Sequence, residues 1–224
     1  MDRVTAYLDH AASSPLRPEA LEAMLPWFSG QHANPTASHV RGRRARQALD
    51  DAREVLAEAT GFERGEIVFT SGGTESDNLA LGRTHRPGRI LVGATEHPAV
   101  LEPARIQGGH TVPVDEAGVV TADLVAGHLT DDVELVSVMT VNNETGVVQP
   151  VADIAAVVHE RLPDAIVHTD AVQGLPWLDL ALSAAGVDLL SITGHKLGGP
   201  QGVGALAIRS GRTLAPMLVG GGQE

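Results

Sequence analysis

The sequence predicts an α/β fold with a mostly parallel sheet of about seven strands flanked by helices. Short β-rich runs alternate with helical stretches, most of these runs are apolar on both faces, and the turns between them are short. Strands with helices on both sides of a parallel sheet have this composition, and right-handed crossovers connect them. The predicted strands are Ile67–Thr70, Ile90–Ala94, Thr111–Val114, Leu135–Val141, Ile166–Thr169, Leu189–Thr193 and Gly204–Ile208.

Helical patterns precede the first strand and separate most of the others. A loop rich in glycine and proline, without a helix, joins the last two strands. We therefore expect these two strands to form an antiparallel edge pair. The helices are predicted at Pro18–Phe28, Ser38–Thr60, Glu75–Arg83, Thr121–His128 and Val151–Arg161.

Composition narrows the possible partners and locations. The chain has 224 residues, a net charge of −12 and no cysteine. The negative charge argues against nucleic acid and anionic membranes as partners, and the absence of cysteine excludes disulfides and thiolate metal sites within these residues. Without a membrane-length apolar run or a signal-peptide pattern, a cytoplasmic protein is expected.

The chain is divided here into an N-terminal segment, residues 1–14, and one large domain, residues 15–224. Val219–Glu224 is a glycine-rich loop followed by neither a helix nor a polar tail. This ending predicts that the domain is truncated at its C-terminal end.

Lys196 is the only lysine, because arginine supplies the other fifteen of the 16 Lys and Arg side chains. It lies between a strand-like apolar run and a glycine-rich turn. Burial lowers the pKa of a lysine and frees its lone pair, so Lys196 is a candidate Schiff-base nucleophile. An arginine-rich coding bias that left one lysine by chance is the alternative.

Ligands of such sheets bind beyond the carboxyl ends of the strands, where other candidate residues lie. Gly73 and Thr74 follow the first strand and open a helix, which predicts an anion cradle suited to phosphate or simply a capped helix. His97, on a loop with a proline after it, suits stacking on a planar ligand or proton transfer, although a lone histidine is more often structural.

Two further strand ends carry polar side chains. Asn143 belongs to a pair of asparagines that a plain turn explains equally well as a grip on polar substrate atoms. Asp170 ends a buried strand and needs a partner, which a protonated pyridine nitrogen would supply, with Gln173 one helical step onward. A metal site that uses His168 and Asp170 is an alternative without a second close pair of ligands.

The segment Thr193–Lys196 completes this set. Thr193 and His195 are placed to bond a phosphate, Gly194 lies between them, and Lys196 follows. A phosphate cradle, a stacking histidine, an aspartate for a ring nitrogen and one lysine are what pyridoxal phosphate requires. Each motif alone is weak, but their order on successive strand ends predicts a site for this cofactor.

Seven segments spread over nearly the whole chain carry a family resemblance. They are Tyr7–Pro15, Ile67–Asn78, Thr95–His97, Val141–Gly146, His168–Gln173, Gly194–Lys196 and Gly220–Glu224. With these segments the chain resembles the class V aminotransferase family, and within it most closely the cysteine desulfurases of the NifS/IscS kind. The resemblance implies the large domain of a fold-type I pyridoxal phosphate enzyme, usually a homodimer with sites near the subunit interface.

The resemblance also implies a role for each matching residue. Lys196 would bind the cofactor covalently, Asp170 would pair with its pyridine nitrogen and Gln173 with its phenolic oxygen. His97 would stack on the ring and move protons, and Asn143 would lie near the phenolic oxygen and the substrate carboxylate. The phosphate would be held by Gly73, Thr74, Thr193 and His195.

The function implied is conversion of L-cysteine to L-alanine, with sulfur passed to an acceptor protein through an enzyme persulfide. The small domain, the substrate-binding arginine and the persulfide cysteine of the family are absent from residues 1–224, so we expect these residues alone to be inactive. A selenocysteine lyase or another class V enzyme is the first alternative, and a non-catalytic scaffold is the second. The acceptor could serve iron–sulfur clusters, tRNA thiolation, DNA modification or cofactor synthesis.

Overall fold

Residues 6–82 and 89–221, described by a computed structural model, form a seven-stranded sheet. The order across it is β1-β7-β6-β5-β4-β2-β3, in which β2 to β6 are parallel and β7 is antiparallel to both of its neighbours. The mostly parallel α/β sheet expected from the sequence is confirmed. The strands are β1 (Ile67–Thr70), β2 (Arg89–Gly93), β3 (His110–Val112), β4 (Val133–Ser137), β5 (Ile166–Asp170), β6 (Leu189–Thr193) and β7 (Gly204–Ile208).

The last two strands pair in the expected antiparallel way, but they do not form the edge of the sheet. β1 covers the outer side of β7, with Ile67 opposite Ala207 and Thr70 opposite Gly204. The prediction of an edge pair was therefore wrong, because β1 pairs with the outer side of β7 and takes the edge position itself.

Helices cover both faces of the sheet. Two of them, α4 and α7, were not predicted, and Arg83, the predicted end of α3, lies outside the described residues. α4 begins at Pro98, which is tolerated in the first turn because a backbone N–H there has no partner within the helix. The helices are α1 (Pro18–Phe28), α2 (Val40–Thr60), α3 (Gly73–Leu81), α4 (Pro98–Ile106), α5 (Ala122–His128), α6 (Val151–Arg161) and α7 (Leu180–Ser183).

The predicted strand 135–141 ends early, at Ser137. The N–H groups of Val138 and Thr140 still donate to β5, at 3.2 Å and 2.9 Å from the accepting oxygens. The chain then leaves the regular ladder and turns at Asn142, so its side chains reach the carboxyl end of the sheet.

Successive strand residues enter two separate apolar clusters, one on each face. Leu135 packs on one side with Leu81 of α3 and Val100 of α4, whereas Val136 packs on the other with Ile154 of α6. Because helices cover both faces, the polar residues of the central strands are buried as well. Among the described residues, no helix is long and apolar enough to cross a membrane.

Candidate active site

A cavity of about 330 Å³ lies at the carboxyl ends of the parallel strands. This volume is in the range of small-molecule binding sites. Every site residue predicted from the sequence except Gly194 lines it. The predicted residues brought together here are Gly73, Thr74, His97, Asn143, Asp170, Gln173, Thr193, His195 and Lys196.

One wall of the cavity is the first turn of α3. Its leading N–H groups have no partners within the helix and carry the positive end of the helix dipole. A Cβ at Gly73 would lie 2.8 Å from Cγ2 of Val172, so only glycine fits there without a shift. The hydroxyl of Thr74 belongs to the same turn. This wall offers the donors that a phosphate group needs.

The turn after β6 adds further donors to this wall. Thr193 Oγ1 and His195 Nδ1 are 2.9 Å apart, and Thr193 is buried. Burial and the neighbouring Lys196 lower the pKa of His195. Gly194 does not line the cavity, because its N–H donates to Val203 O and its carbonyl accepts from the Leu197 and Gly199 N–H groups. Gly194 is therefore a residue of the turn and not of the cavity wall.

His97 is the N-cap of α4, and this position fixes its ring. Nδ1 accepts a hydrogen bond from the Ala99 N–H at 3.1 Å. Nδ1 is therefore the acceptor nitrogen of the neutral ring, and the proton is on Nε2. A ring held in this way suits stacking on a planar ligand and proton exchange through a single nitrogen.

Asp170 ends β5 with its side chain almost completely buried. Its Oδ1 accepts a hydrogen bond from the Val172 N–H at 2.9 Å. Burial raises the pKa of Asp170, and this rise is opposed by the Val172 bond, by the nearby His97 ring and by Lys196. A cation in the cavity would therefore favour the ionised carboxylate further.

Lys196 contacts the N-terminal part of the chain, a partner that the sequence did not predict. Its Nζ donates to the carbonyl oxygens of Ala11 and Ala12, the latter at 3.0 Å. Burial lowers the pKa of Lys196, while the charges of Asp170 and Asp9 oppose that decrease. The direction of the shift is the one that a nucleophilic amine requires.

The same N-terminal stretch is hydrogen-bonded to Gln173 and to the loop that carries Lys196. Gln173 Nε2 donates to Ala11 O at 2.8 Å, and Ser14 Oγ donates to His195 O and accepts from the Gly198 N–H. Ala11 and Ala12 of the predicted N-terminal segment thus line the cavity, and Ser14 binds the neighbouring loop.

The two asparagines after β4 have different roles, one in the turn and the other in the cavity wall. Asn142 holds the turn, because its Oδ1 accepts from the Glu144 and Thr145 N–H groups and its Nδ2 donates to Thr95 O. Asn143 lines the cavity. Asn142 therefore stabilises the turn, and the neighbouring Asn143 is the one that faces the site.

The sequence reasoning gave no role to Asp77, although this residue lines the cavity. Asp77 lies three residues after Thr74 on α3, and residues three apart share one face of a helix. That spacing was the signal that would have found it. Its pKa is raised well above the usual value, first by burial and then by the charge of Asp170.

His168, weighed above as a metal ligand, is fully buried between two serines. Its ring nitrogens lie 2.8 Å from Ser137 Oγ and 3.0 Å from Ser191 Oγ. Burial lowers the pKa of His168 to about 3, so the ring is neutral at neutral pH. In residues 6–82 and 89–221 no group of three histidine, aspartate or glutamate side chains is arranged to hold a metal ion.

The burial of His168 predicts a loss of stability in mild acid. Its pKa of about 3 in the folded protein lies below the ordinary value of 6.5, so between these values the unfolded chain binds a proton that the folded protein does not. Above pH 6.5 proton binding by His168 does not reduce the free energy of unfolding. Below pH 6.5 the free energy of unfolding falls as the pH decreases, with a slope that approaches about 1.4 kcal/mol per pH unit. Urea unfolding at several pH values measures this slope.

The comparison that isolates this effect is between two His→Gln variants. His168→Gln should remove the His168 contribution to the slope, whereas His32→Gln, at an exposed position, should keep it. Buried acids such as Glu96 change stability with the opposite sign, but they do so equally in both variants. Equal slopes in the two variants would show that His168 does not titrate as expected.

The model of the class-V aminotransferase family matches residues 6–224. A cysteine desulfurase IscS of Dictyoglomus turgidum is 42% identical over an alignment of 228 positions, which covers 97% of this chain and 57% of that protein. A solved NifS-like protein superimposes with a TM-score of 0.92 at 35% identity over 97% of this chain and 62% of its own. The structure of SspA in complex with cysteine has a TM-score of 0.90 at 37% identity, over 98% of this chain and 66% of its own.

The chain thus spans about three fifths of the length of the relatives it matches. The cavity fits the cofactor of this family. It contains an aspartate whose ionised form a cationic partner would favour, a helix N-terminus beside hydroxyl donors, and an amine with a lowered pKa. The prediction of pyridoxal phosphate is confirmed by the family match, as is the resemblance on which it rested. The chain belongs to the class-V aminotransferase family of pyridoxal phosphate-dependent enzymes.

Proposed function

We propose that the complete protein is a cysteine desulfurase that converts L-cysteine to L-alanine. The observation that carries the proposal is that Lys196, Asp170 and His97 line one cavity in a chain 42% identical to a cysteine desulfurase. A thiol of the enzyme would attack the substrate sulfur, so that cysteine and the enzyme thiol become alanine and an enzyme persulfide. Because residues 1–224 contain no cysteine, this thiol would have to lie outside them.

Pyridoxal phosphate, when bound, supplies a ring that withdraws electrons from the substrate α-carbon. In the proposed site Lys196 supplies the amine that binds the cofactor aldehyde. Asp170 stabilises the protonated ring nitrogen, because its buried carboxylate favours a cationic partner. His97 exchanges protons through Nε2, since Nδ1 accepts from the Ala99 N–H.

Binding of the phosphate is assigned to the first turn of α3 and the turn after β6. Gly73 leaves room for the approach of a ligand to the backbone, and Thr74, Thr193 and His195 provide side-chain donors. Gln173 and Asn143 line the cavity with amide groups suited to the phenolic oxygen and the substrate carboxylate. A solved relative described as a complex with cysteine supports this substrate.

The finer assignments stay predictions of the family resemblance. They are the homodimer, the cytoplasmic location, the sulfur-acceptor protein and the division at residue 14. A carrier or scaffold protein with a nucleophilic thiol is the kind of acceptor that a persulfide requires.

The proposal is tested with the complete protein, expressed with any sequence that follows Glu224 in its reading frame. Loaded with pyridoxal phosphate and given L-cysteine and a thiol reductant, it should release alanine and sulfide in equal amounts. Residues 1–224 alone, which contain no cysteine, should release neither.

Two outcomes would contradict this function. A protein that holds the cofactor yet forms no alanine from cysteine would not be a desulfurase. Alanine formed from selenocysteine alone would point to a selenocysteine lyase.

A further inference from the structure

A row of polar side chains runs through the apolar core to the cavity. Ser137 of β4 is paired in register with His168 of β5, and Asp170 of β5 is paired with Ser191 of β6. Paired residues point to the same face of a sheet, and so do residues two apart in one strand. These four side chains therefore share one face, and all are buried.

The helix α3 packs on this face and brings Asp77 to the row. Asp77 is 1% exposed, and its Oδ1 has no hydrogen-bond partner among the described residues. The same oxygen lies 3.7 Å from His168 Nε2, and the Ser191 hydroxyl is hydrogen-bonded to the Asp77 carboxyl group. The row thus ends at a second carboxyl group beside Asp170.

Within residues 6–82 and 89–221, the pKa of Asp77 is affected by burial, Asp170 and Ser191, and by no cation that would stabilise its anion. From β5 it meets His168, which is neutral, and Asp170; Glu96, before α4, is a third buried acid that its charge affects. The neighbouring strands β1, β6 and β7 contain no ionisable residue. A buried carboxylate without a cation or a full set of hydrogen bonds is strongly disfavoured.

Asp170, in contrast, has the partners of an anion. Its Oδ1 accepts from the Val172 N–H, and the nearby His97 and the ammonium group of Lys196 act on it. When two neighbouring carboxyl groups share a site of low dielectric, one of them stays protonated. The contacts therefore assign the negative charge to Asp170 and the proton to Asp77.

We propose that Asp77 is a positioning residue that remains a neutral acid and leaves Asp170 as the single anion facing the cofactor ring. This inference rests on the proposed function, in which the ring nitrogen is cationic. One negative charge then matches one positive charge. The Asp77–Ser191–His168–Ser137 row holds the region behind that pair in a fixed, uncharged arrangement.

The protonation state can be measured without the cofactor. An infrared difference spectrum between the complete wild-type protein and Asp77→Asn at neutral pH should show that the variant has lost the carbonyl stretch of a protonated carboxylic acid. Asp131→Asn, at an exposed position, should lose carboxylate bands instead. Loss of carboxylate bands alone in Asp77→Asn would overturn the proposal.

The positioning role is measured on the protein loaded with pyridoxal phosphate. Asp77→Asn, which mimics the neutral acid, should keep the dissociation constant of the cofactor within about threefold and the pH midpoint of its visible band unchanged. Asp77→Ala, which breaks the row, should weaken binding about tenfold. Asp170→Asn should both weaken binding and move the midpoint.

An Asp77→Asn protein that behaves like Asp170→Asn would show that Asp77 is an anion of the site. An Asp77→Ala protein that matches the wild type would remove the positioning role. Should Asp77→Ala fail to fold, Ser191→Ala tests the same row and should weaken binding severalfold. A wild-type protein that binds no pyridoxal phosphate would reject the proposed function, and the infrared result would still decide the state of Asp77.

Discussion

Replacing Lys196 with alanine is expected to abolish covalent attachment of pyridoxal phosphate and to lower alanine formation by a factor on the order of 10⁴. Lys196 is the only lysine of the chain, so no second side-chain amine of residues 1–224 can take over its role. Its Nζ lies in the cavity wall with Asp170, and burial lowers its pKa. Both features favour a neutral, nucleophilic amine.

Borohydride reduction followed by peptide mass mapping locates the attachment. In the wild-type protein the pyridoxyl group should be found on the peptide that contains Lys196. Lys196→Arg is the informative companion, because arginine can still donate to the Ala11 and Ala12 carbonyl oxygens but offers no nucleophile. A pyridoxyl group on any other residue would reject the assignment of Lys196.

The Asp170→Asn variant is expected to form alanine about 10²- to 10³-fold more slowly and to bind the cofactor about tenfold more weakly. The asparagine Oδ1 can still accept the Val172 hydrogen bond, so the turn after β5 is retained. What is lost is the negative charge that stabilises a protonated ring nitrogen. The effect is therefore electrostatic, and the fold should be unaffected.

Steady-state alanine release and equilibrium dialysis of the cofactor measure the two effects. Asp179→Asn, an exposed aspartate before α7, serves as the control and should match the wild type. An Asp170→Asn protein with wild-type rates would mean that the ring nitrogen is not held by this residue.

Most of the fold was predictable from local sequence, because most strands are rich in apolar residues and the helices between them are regular. α4 was not predicted, although Pro98 lies in its first turn, a position that proline fits. The position of β1 outside β7 could not be predicted either, since it depends on a pairing between residues 67–70 and 204–207. Pairings this distant leave no local pattern.

The residues predicted for the site, except Gly194, line one cavity because they follow strand ends, and parallel strands bring those ends together. Asp77 was overlooked since it lies inside a helix, where position on the helix face decides its surroundings. The contact of Lys196 with Ala11 and Ala12 had no signal in residue type, because backbone carbonyl oxygens are its acceptors.

The reversed direction of β7 has a consequence for the placement of the lysine. In a parallel α/β unit the chain would leave β6 into a helix, and a residue just after the strand would move with that helix. Here the chain folds straight back, and the Gly194 N–H donates to Val203 O across the base of the return. Lys196 therefore lies on a loop whose two ends continue into adjacent antiparallel strands, so the register of those strands, together with the Ser14 contacts, sets its position.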